Sequence, residues 1–267
     1  MTGFTTEWLG LREPFDGAAR NRTVLDAVVA QFAKYYSVTV SDLGSGTGSS
    51  FRAITSRLPV EQTWRLYDSD ITLVAGPAAP TEGARFHRWV VNLAEDLELA
   101  LESPLDLVTT SALLDLTSGG WAERLVTELA VRNLPFYAAL TYDGRVALSP
   151  TDPTDTDVIM AVNHHQRTDK GFGAALGASA ADFYMKAFHA VGYEVVSGQS
   201  DWVFRSSDQA MQLQMLEDWA GAARAVNLLP RWRVQDWMTR RRDLVATARS
   251  SMRVGHIDFF ARPIATR

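Results

Sequence analysis

Three glycines at alternate positions make one short segment of this sequence well suited to hold a ligand. The segment is Val38–Gly48, VTVSDLGSGTG, in which an alternating apolar run leads to Asp42 and then to the glycines. Glycine is needed where the backbone takes a positive φ, or where a ligand must approach bare backbone. The segment therefore predicts a buried first strand that turns sharply into a helix from about Ser49. Crevices at the carboxyl ends of such strands are the usual ligand sites of open α/β sheets.

Two other glycine-rich loops do not fit this spacing. The dinucleotide pattern G-x-G-x-x-G requires glycine where Ser49 stands, and a phosphate-binding Walker loop requires lysine directly after Gly48. The pattern D-L-G-S-G-T-G instead resembles motif I of the class I S-adenosylmethionine-dependent methyltransferases.

An acidic residue at the end of the second predicted strand agrees with this resemblance. The strand covers Thr63–Tyr67 and leads to Asp68, which lies 20 positions beyond Gly48. An acidic side chain at about this interval can accept hydrogen bonds from both hydroxyls of a ribose. Asp70 fits better as the N-cap of the next segment. Residues 75–84 form a connector rich in Gly, Pro and Ala.

The resemblance implies a set of cofactor-binding residues for S-adenosylmethionine. This set is Asp42, Gly44, Ser45, Gly46, Asp68, Asn92, Leu93 and Ser111. The first four would hold the methionine portion and Asp68 the ribose. Asn92, after a third strand at Arg85–Val91, would meet the adenine. Glu95 and Asp96 are alternatives for that contact, or they start a short helix.

The resemblance also implies where the substrate binds. A fourth strand at Leu105–Thr110 ends at Ser111, which in the family lies beside the sulfonium, and Asp115 would face the substrate. An N-terminal helix over the cofactor cleft is common in the family. Arg12 and Arg20 could therefore close over bound ligand, although Asp16 and Arg20 are spaced as a helix-surface ion pair.

The order of predicted elements indicates an α/β fold. Strand and helix alternate five times, with the fifth strand at Phe136–Thr141 before the chain turns away. The resemblance implies a Rossmann-like seven-stranded, mostly parallel sheet with helices on both faces and an antiparallel last strand. Tyr193–Val196 would be strand six, Asp201–Phe204 its continuation and His256–Ala261 strand seven. A helical insertion would lie between strands six and seven.

This order predicts three regions. Residues 1–37 form an N-terminal lid region, residues 38–207 and 254–267 form the methyltransferase domain, and residues 208–253 form a helical insertion or cap over the substrate. Arg241 falls on the apolar stripe of the second inserted helix. A buried arginine there needs a carboxylate from the protein or from the substrate, unless the helix rotates to expose it.

The polar stretch 149–177 is the predicted acceptor side and is expected to be a long loop, which in a compact domain is usually functional or disordered. Methyl transfer requires an aligned acceptor and removal of its proton, and histidine suits the second task. His164 and His165 are therefore candidate general bases, and Arg167 and Lys170 are candidates to bind an acidic substrate group. Alternatively, one histidine is structural and the other residues are solvated. A metal is not expected, because no cysteine or suitably spaced carboxylate accompanies the histidines.

Composition limits the partners of the chain. The 267 residues carry a net charge of −5 and no cysteine, which disfavours nucleic acid and agrees with a cytoplasmic location. No signal peptide and no apolar run long enough for a membrane span is evident. The sequence leaves the oligomeric state open.

These observations predict an enzyme, an S-adenosylmethionine-dependent methyltransferase acting on an O or N atom of a small polar or acidic molecule. The alternative is a non-catalytic module that binds S-adenosylmethionine or S-adenosylhomocysteine and acts through a protein partner.

Overall fold

The computed structural model describes residues 5–59, 61–74 and 83–264, so most of the predicted connector at 75–84 lies outside the described residues. The helices are α1 (Thr6–Ala19), α2 (Arg22–Phe32), α3 (Ser49–Ile54), α4 (Ile71–Val74), α5 (Gly119–Val131), α6 (Asp155–Gln166), α7 (Ala180–Ala190), α8 (Gln209–Val226) and α9 (Arg231–Ala246). The strands are β1 (Ser37–Leu43), β2 (Glu61–Asp68), β3 (Ala84–Val90), β4 (Leu107–Ser111), β5 (Phe136–Ser149), β6 (Tyr193–Gln199), β7 (Trp202–Phe204) and β8 (Ser251–Pro263). None of the described helices is both long and apolar enough to cross a membrane.

The strands form one mixed sheet. Its order is β3-β2-β1-β4-β5-β8-β6, with parallel pairing from β3 to β5, and β7 also pairs with β8. The last strand, β8, runs antiparallel to β5, β6 and β7. The described sheet has eight strands rather than seven, because the predicted continuation of strand six is the separate strand β7 on the same partner.

Helices cover both faces of this sheet, as predicted. On one face Val40 of β1 belongs to a buried cluster with residues of α2 and α3. On the other face Val108 of β4 belongs to a cluster with residues of α5 and α7. Because the middle strands are buried on both sides, their carboxyl ends are held at a fixed edge.

Two expectations about the middle of the chain are wrong. Strand β5 does not end near Thr141 but continues to Ser149, because two register shifts keep it paired with β8. The stretch 149–177 is not one long loop, since it contains α6, which buries Val158, Ala161 and Val162. These few apolar residues in a polar sequence give only a weak helical period. The helix is stabilised mainly by its packing against α8, which the sequence pattern does not show.

The predicted helical insertion is present as α8 and α9, which stand between β7 and β8. Arg241 of α9 is completely buried and does not rotate into solvent. Its Nε lies 3.1 Å from Asp155 Oδ1, its Nη2 also contacts that carboxylate, and its Nη1 donates to the Pro150 carbonyl at 2.7 Å. Trp237 Nε1 donates to Asp155 Oδ1 at 2.8 Å. The carboxylate that Arg241 requires is therefore Asp155 of α6 and not a group of the substrate.

We expect Asp155→Ala to lower the free energy of unfolding by about 3–5 kcal/mol, because it leaves the buried Arg241 charge unpaired. Urea unfolding measures the loss. The double variant Asp155→Ala/Arg241→Met should recover part of it, since the orphaned charge is gone. A single variant as stable as the wild type would contradict this account.

Candidate functional site

The glycine turn between β1 and α3 has the backbone geometry that the sequence predicts. Gly44, Gly46 and Gly48 have φ angles of 65°, 53° and 88°, which residues with a Cβ rarely adopt. Ser45 N–H donates to the Tyr67 carbonyl at 2.9 Å and thereby ties the turn to the end of β2. The turn therefore lies against the carboxyl ends of two adjacent strands.

Asp68 completes this arrangement from β2. Its Oδ2 accepts from Gly46 N–H at 2.8 Å and its Oδ1 accepts from Asp70 N–H at 3.0 Å. Burial raises the pKa of Asp68 above its ordinary value, although these backbone donors oppose the rise. Asp70 is the expected helix cap, because its Oδ1 accepts from Thr72 N–H at 2.8 Å.

Asp42, at the end of β1, is the most unusual group of the site. It is completely buried, and among the described residues neither carboxylate oxygen has a hydrogen bond of ordinary geometry, although the Ser50 hydroxyl lies near enough to favour the charged form. Burial raises its pKa to about 7, and the Arg20 charge and the Ser50 hydroxyl only partly oppose this rise. A buried carboxylate without partners is costly unless another group completes it.

Arg20 is the second incomplete charge and directly follows α1. It is 7% exposed, and its Nη1 donates to the Tyr137 hydroxyl at 3.2 Å. Its Nε and Nη2 are buried without a partner in the described residues. The hydroxyls of Thr109 and Ser111 on β4 are buried and unpartnered as well. Thr109 is the register partner of Asp42, so an unpartnered hydroxyl belongs to the strand position next to the buried carboxylate.

The surface ion pair considered for Asp16 and Arg20 is absent. Asp16 instead contacts Arg12, whose Nε lies 3.0 Å from Asp16 Oδ2, and it accepts from Trp202 Nε1 at 2.9 Å. Helix α1 ends at Ala19, so Arg20 leaves the helical spacing and enters the interior.

Helix α1 lies over the glycine turn, as an N-terminal lid would. A δ carbon of Leu9 is 3.2 Å from the point where a Cβ on Gly46 would stand. Glu13 of α1 accepts two hydrogen bonds, of 2.6 and 2.8 Å, from Arg52 of α3 and so ties α1 to the helix that follows the glycine turn.

The predicted adenine residues lie after β3. Asn92 is exposed, and its Oδ1 accepts from Ala94 N–H at 3.2 Å. Leu93 is buried, and its carbonyl accepts from Trp121 Nε1 at 2.7 Å. The neighbouring Glu95 and Asp96 are exposed. Asn92 thus has an accessible side chain on a fixed backbone.

Asp115 lies in the turn after β4 and is 5% exposed. Burial raises its pKa to about 6, opposed by backbone N–H groups and by the charge of Arg12. Leu113, two residues earlier, has its δ carbons 3.2 Å from the point where a Cβ on Gly44 would stand. Asp115 therefore lies two residues beyond Leu113, which packs against the glycine turn.

The four basic residues of stretch 149–177 lie at the end of α6 and just beyond it. His164 and Arg167 are exposed, whereas His165 and Lys170 are partly buried. Lys170 Nζ lies 3.3 Å from His165 Nδ1. Burial and the Lys170 charge lower the pKa of His165, which keeps that ring neutral near pH 7.

Two residues gain importance only from the structure. Arg20 could be considered from sequence as a lid residue, but its interior position opposite Asp42 follows from the end of α1. His256 looked like an ordinary strand residue, yet it is 4% exposed and surrounded by Trp202, Tyr142 and the charge of Arg12. The alternation of β8 gave no signal of this polar neighbourhood.

Comparison with known proteins gives structural relatives only, since no protein-family model and no curated protein sequence matches the chain. A cyclopropane-fatty-acyl-phospholipid synthase-like protein from Lactobacillus casei has a TM-score of 0.50 and 13% identity, with 96% of this chain and 94% of that chain covered. YcgJ from Bacillus subtilis has a TM-score of 0.48 and 14% identity, covering 92% and 100%. A methyltransferase from Geobacter sulfurreducens in complex with S-adenosylhomocysteine has a TM-score of 0.42 and 14% identity, covering 99% and 100%.

At these identities the likeness shows the fold. The sheet order, the antiparallel β8 and the likeness to the Lactobacillus casei protein show that the chain has a Rossmann-like, mostly parallel α/β fold with an antiparallel last strand. The predicted fold class is confirmed.

Because the buried Asp42 carboxylate has few hydrogen-bond partners, we expect its replacement by a neutral side chain to stabilise the protein. Because its folded pKa of about 7 exceeds the ordinary 3.8, the folded state binds more protons between these values. Stability therefore falls as pH rises through this window. Asp42→Asn should stabilise the protein at pH 8 by about 1–3 kcal/mol, a gain that shrinks towards pH 4.

Thermal unfolding of both proteins across this pH range measures the effect. Asp236→Asn, at an exposed position of α9, is the isosteric control and should show no such trend. A less stable Asp42→Asn protein at pH 8 would refute the assigned desolvation cost.

Proposed function

We propose that this protein is an S-adenosylmethionine-dependent methyltransferase that methylates an O or N atom of a small polar or acidic molecule. The observation that carries the proposal is the pair of buried, incompletely partnered charges, Asp42 and Arg20, beside the glycine turn. In a Rossmann-like fold, such a pair suits a ligand that carries both charges, and the ligand would add to the partial compensation that Asp258 and Asp16 give Arg20.

The amino-acid end of S-adenosylmethionine meets this requirement. It carries an ammonium group that suits Asp42 and a carboxylate that suits the free donors of Arg20. Gly44, Ser45 and Gly46 would provide the bare backbone beside it, and the unpartnered Ser111 hydroxyl is available there. Filling both charges at once would remove a desolvation cost that the protein otherwise carries.

The remaining cofactor contacts follow the ends of β2 and β3. Asp68 would accept the two ribose hydroxyls, and its present bonds to Gly46 and Asp70 fix the carboxylate at the turn. Asn92, with Leu93 beside it, would meet the adenine through its exposed amide.

The bound cofactor supplies an electrophilic methyl group, and the chain aligns the acceptor and removes its proton. His165 is neutral and partly buried, and it could accept a proton at Nδ1 once Lys170 Nζ, which lies 3.3 Å from that atom, moves away; the exposed His164 is the weaker candidate. Arg167 and Lys170 would attract an acidic group of the acceptor.

Arg20→Gln should distinguish the part of the site that binds the amino-acid end of the cofactor from the part that binds its nucleoside. We expect its affinity for S-adenosylhomocysteine to fall roughly tenfold or more, which corresponds to the loss of a charge-assisted contact. Its affinity for methylthioadenosine, which lacks the amino-acid end, should not change. Calorimetry with both ligands measures this, and equal losses for both would contradict the role of Arg20.

Asp68→Ala should weaken the binding of both ligands, because each contains the ribose. The matched control is Asp70→Ala, which removes a nearby, partly buried carboxylate that caps α4 and whose backbone N–H, the donor to Asp68, is kept. Calorimetry should show the loss for Asp68→Ala alone, and an unchanged affinity would remove the ribose assignment. Binding of both ligands without turnover on any acceptor would favour the non-catalytic module.

A further inference from the structure

Four polar side chains meet at the edge of the sheet that carries the glycine turn. Asp115 follows β4, Tyr142 and His256 are register partners on β5 and β8, and Arg12 comes from α1. We call Arg12, Asp115, Tyr142 and His256 the Asp115 cluster. The packing of Leu113 against Gly44 places this cluster next to the proposed methyl-donor site.

The cluster is nearly buried, and the Asp115 carboxylate is stabilised by hydrogen bonds from the backbone N–H groups of Asp115 and Tyr142 rather than from side chains. Its residues are 4–8% exposed. Within the described ranges, no side chain hydrogen-bonds to the Asp115 carboxylate, to the two Nη atoms of Arg12 or to His256 Nε2. Two groups of the cluster have side-chain partners outside it: the Tyr142 hydroxyl donates to Asn163 Oδ1 at 2.8 Å, and Arg12 Nε donates to Asp16 Oδ2 at 3.0 Å. Nearly buried polar atoms of three elements thus lack side-chain partners at one place.

Ring contacts bring three of these groups together: Arg12 Cζ lies 4.9 Å from the centroid of the Trp202 ring, and the His256 ring lies 4.6 Å from that of Trp202 and 6.1 Å from that of Tyr142. The charge of Arg12 acts on both Asp115 and His256 and lowers the pKa of each. Burial is the larger effect and sets the pKa of His256 to about 3, so the ring is neutral near pH 7. His256 Nδ1 donates to the Val254 carbonyl at 3.1 Å, which leaves the Nε2 lone pair free to accept.

Resting on the methyltransferase function proposed above, we propose that the Asp115 cluster binds the acceptor and that Asp115 removes its proton. This narrows the small polar or acidic class proposed above: we further propose that the acceptor is a neutral or basic molecule with a hydroxyl or an amine as its reacting group. Asp115 then takes the role considered for His165, and Arg167 and Lys170 do not bind the acceptor.

The proposed step balances with the groups at hand. Asp115 receives the proton that the acceptor O–H or N–H loses. The electron pair of that bond becomes the new bond from oxygen or nitrogen to the methyl carbon, while the pair of the broken carbon–sulfur bond stays on sulfur. His256 Nε2 accepts a hydrogen bond from a second donor of the acceptor and so positions it.

The charge of the surroundings sets the acceptor class. Arg12 faces two carboxylates, Asp16 and Asp115, and its Nε already contacts Asp16. The charges of Asp201 and Arg145, which also act on His256, oppose each other. Because Asp16 already shares the Arg12 charge, a second carboxylate placed beside Asp115 in this nearly dry site would be repelled.

Three matched probes test the acceptor class: phenethylamine, phenethyl alcohol and phenylacetate. They share an aryl skeleton, which suits the neighbouring rings of Tyr142 and Trp202. Calorimetry of the protein saturated with S-adenosylhomocysteine should show binding of the amine and the alcohol, with phenylacetate at least roughly tenfold weaker. Asp115→Asn should remove this preference and leave the affinity for S-adenosylhomocysteine unchanged. Asp169→Asn, an exposed control, should change neither.

The removal of the proton is tested by single turnover with S-adenosylmethionine and the amine or alcohol that binds. Asp115→Asn should slow methylation roughly a hundredfold or more, and Asp115→Glu should restore part of the rate. Three results would overturn the proposal: phenylacetate binding at least as tightly as the others, no binding of any probe at millimolar concentration, or methylation that is absent or insensitive to Asp115→Asn. Failure of the proposed function is seen separately, as a wild-type protein that does not bind S-adenosylhomocysteine.

Discussion

The buried charges Asp42 and Arg20 impose the strongest physical constraint on this structure. Taking a carboxylate and a guanidinium out of water is costly, and the protein provides too few hydrogen bonds to offset that cost. The fold places this cost where two strands end beside a glycine turn, which is where a ligand can approach bare backbone. These buried charges thus lower the stability of the free protein, and a bound ligand that pairs with them would restore it. Such a trade of stability for function is common at functional sites.

Helix α1 determines whether these charges stay together. Its sequence contains Gly10, Pro14 and Gly17, which are poor residues for a helix interior. Its position therefore depends on tertiary contacts, chiefly Glu13 with Arg52 and Asp16 with Trp202. Because α1 carries Arg12 and leads into Arg20, one helix connects the methyl-donor side of the site to the proposed acceptor side.

The acceptor side is assembled from segments far apart in the chain. The extension of β5 beyond Tyr142 needs β8 as its partner, and helices α6, α8 and α9 pack together beside this extension. The buried Asp155–Arg241 pair joins α6 to α9 and fixes their relative position. His256 and Tyr142 come together only because β8 returns antiparallel, next to β5.

The sequence alone determined the local features that depend on a few adjacent residues. The glycine turn requires positive φ at fixed positions, and the apolar strands around it have short, strong periods, so the positions of Asp42 and Asp68 at strand ends and the order of the first five strands were predictable. Tertiary structure decided which charged side chains are buried and which groups they contact. The end of α1 turned Arg20 inward, α6 provided the carboxylate for Arg241, and the pairing of β5 with β8 enclosed His256. Such burial depends on which distant segments meet, and no local pattern contains that information.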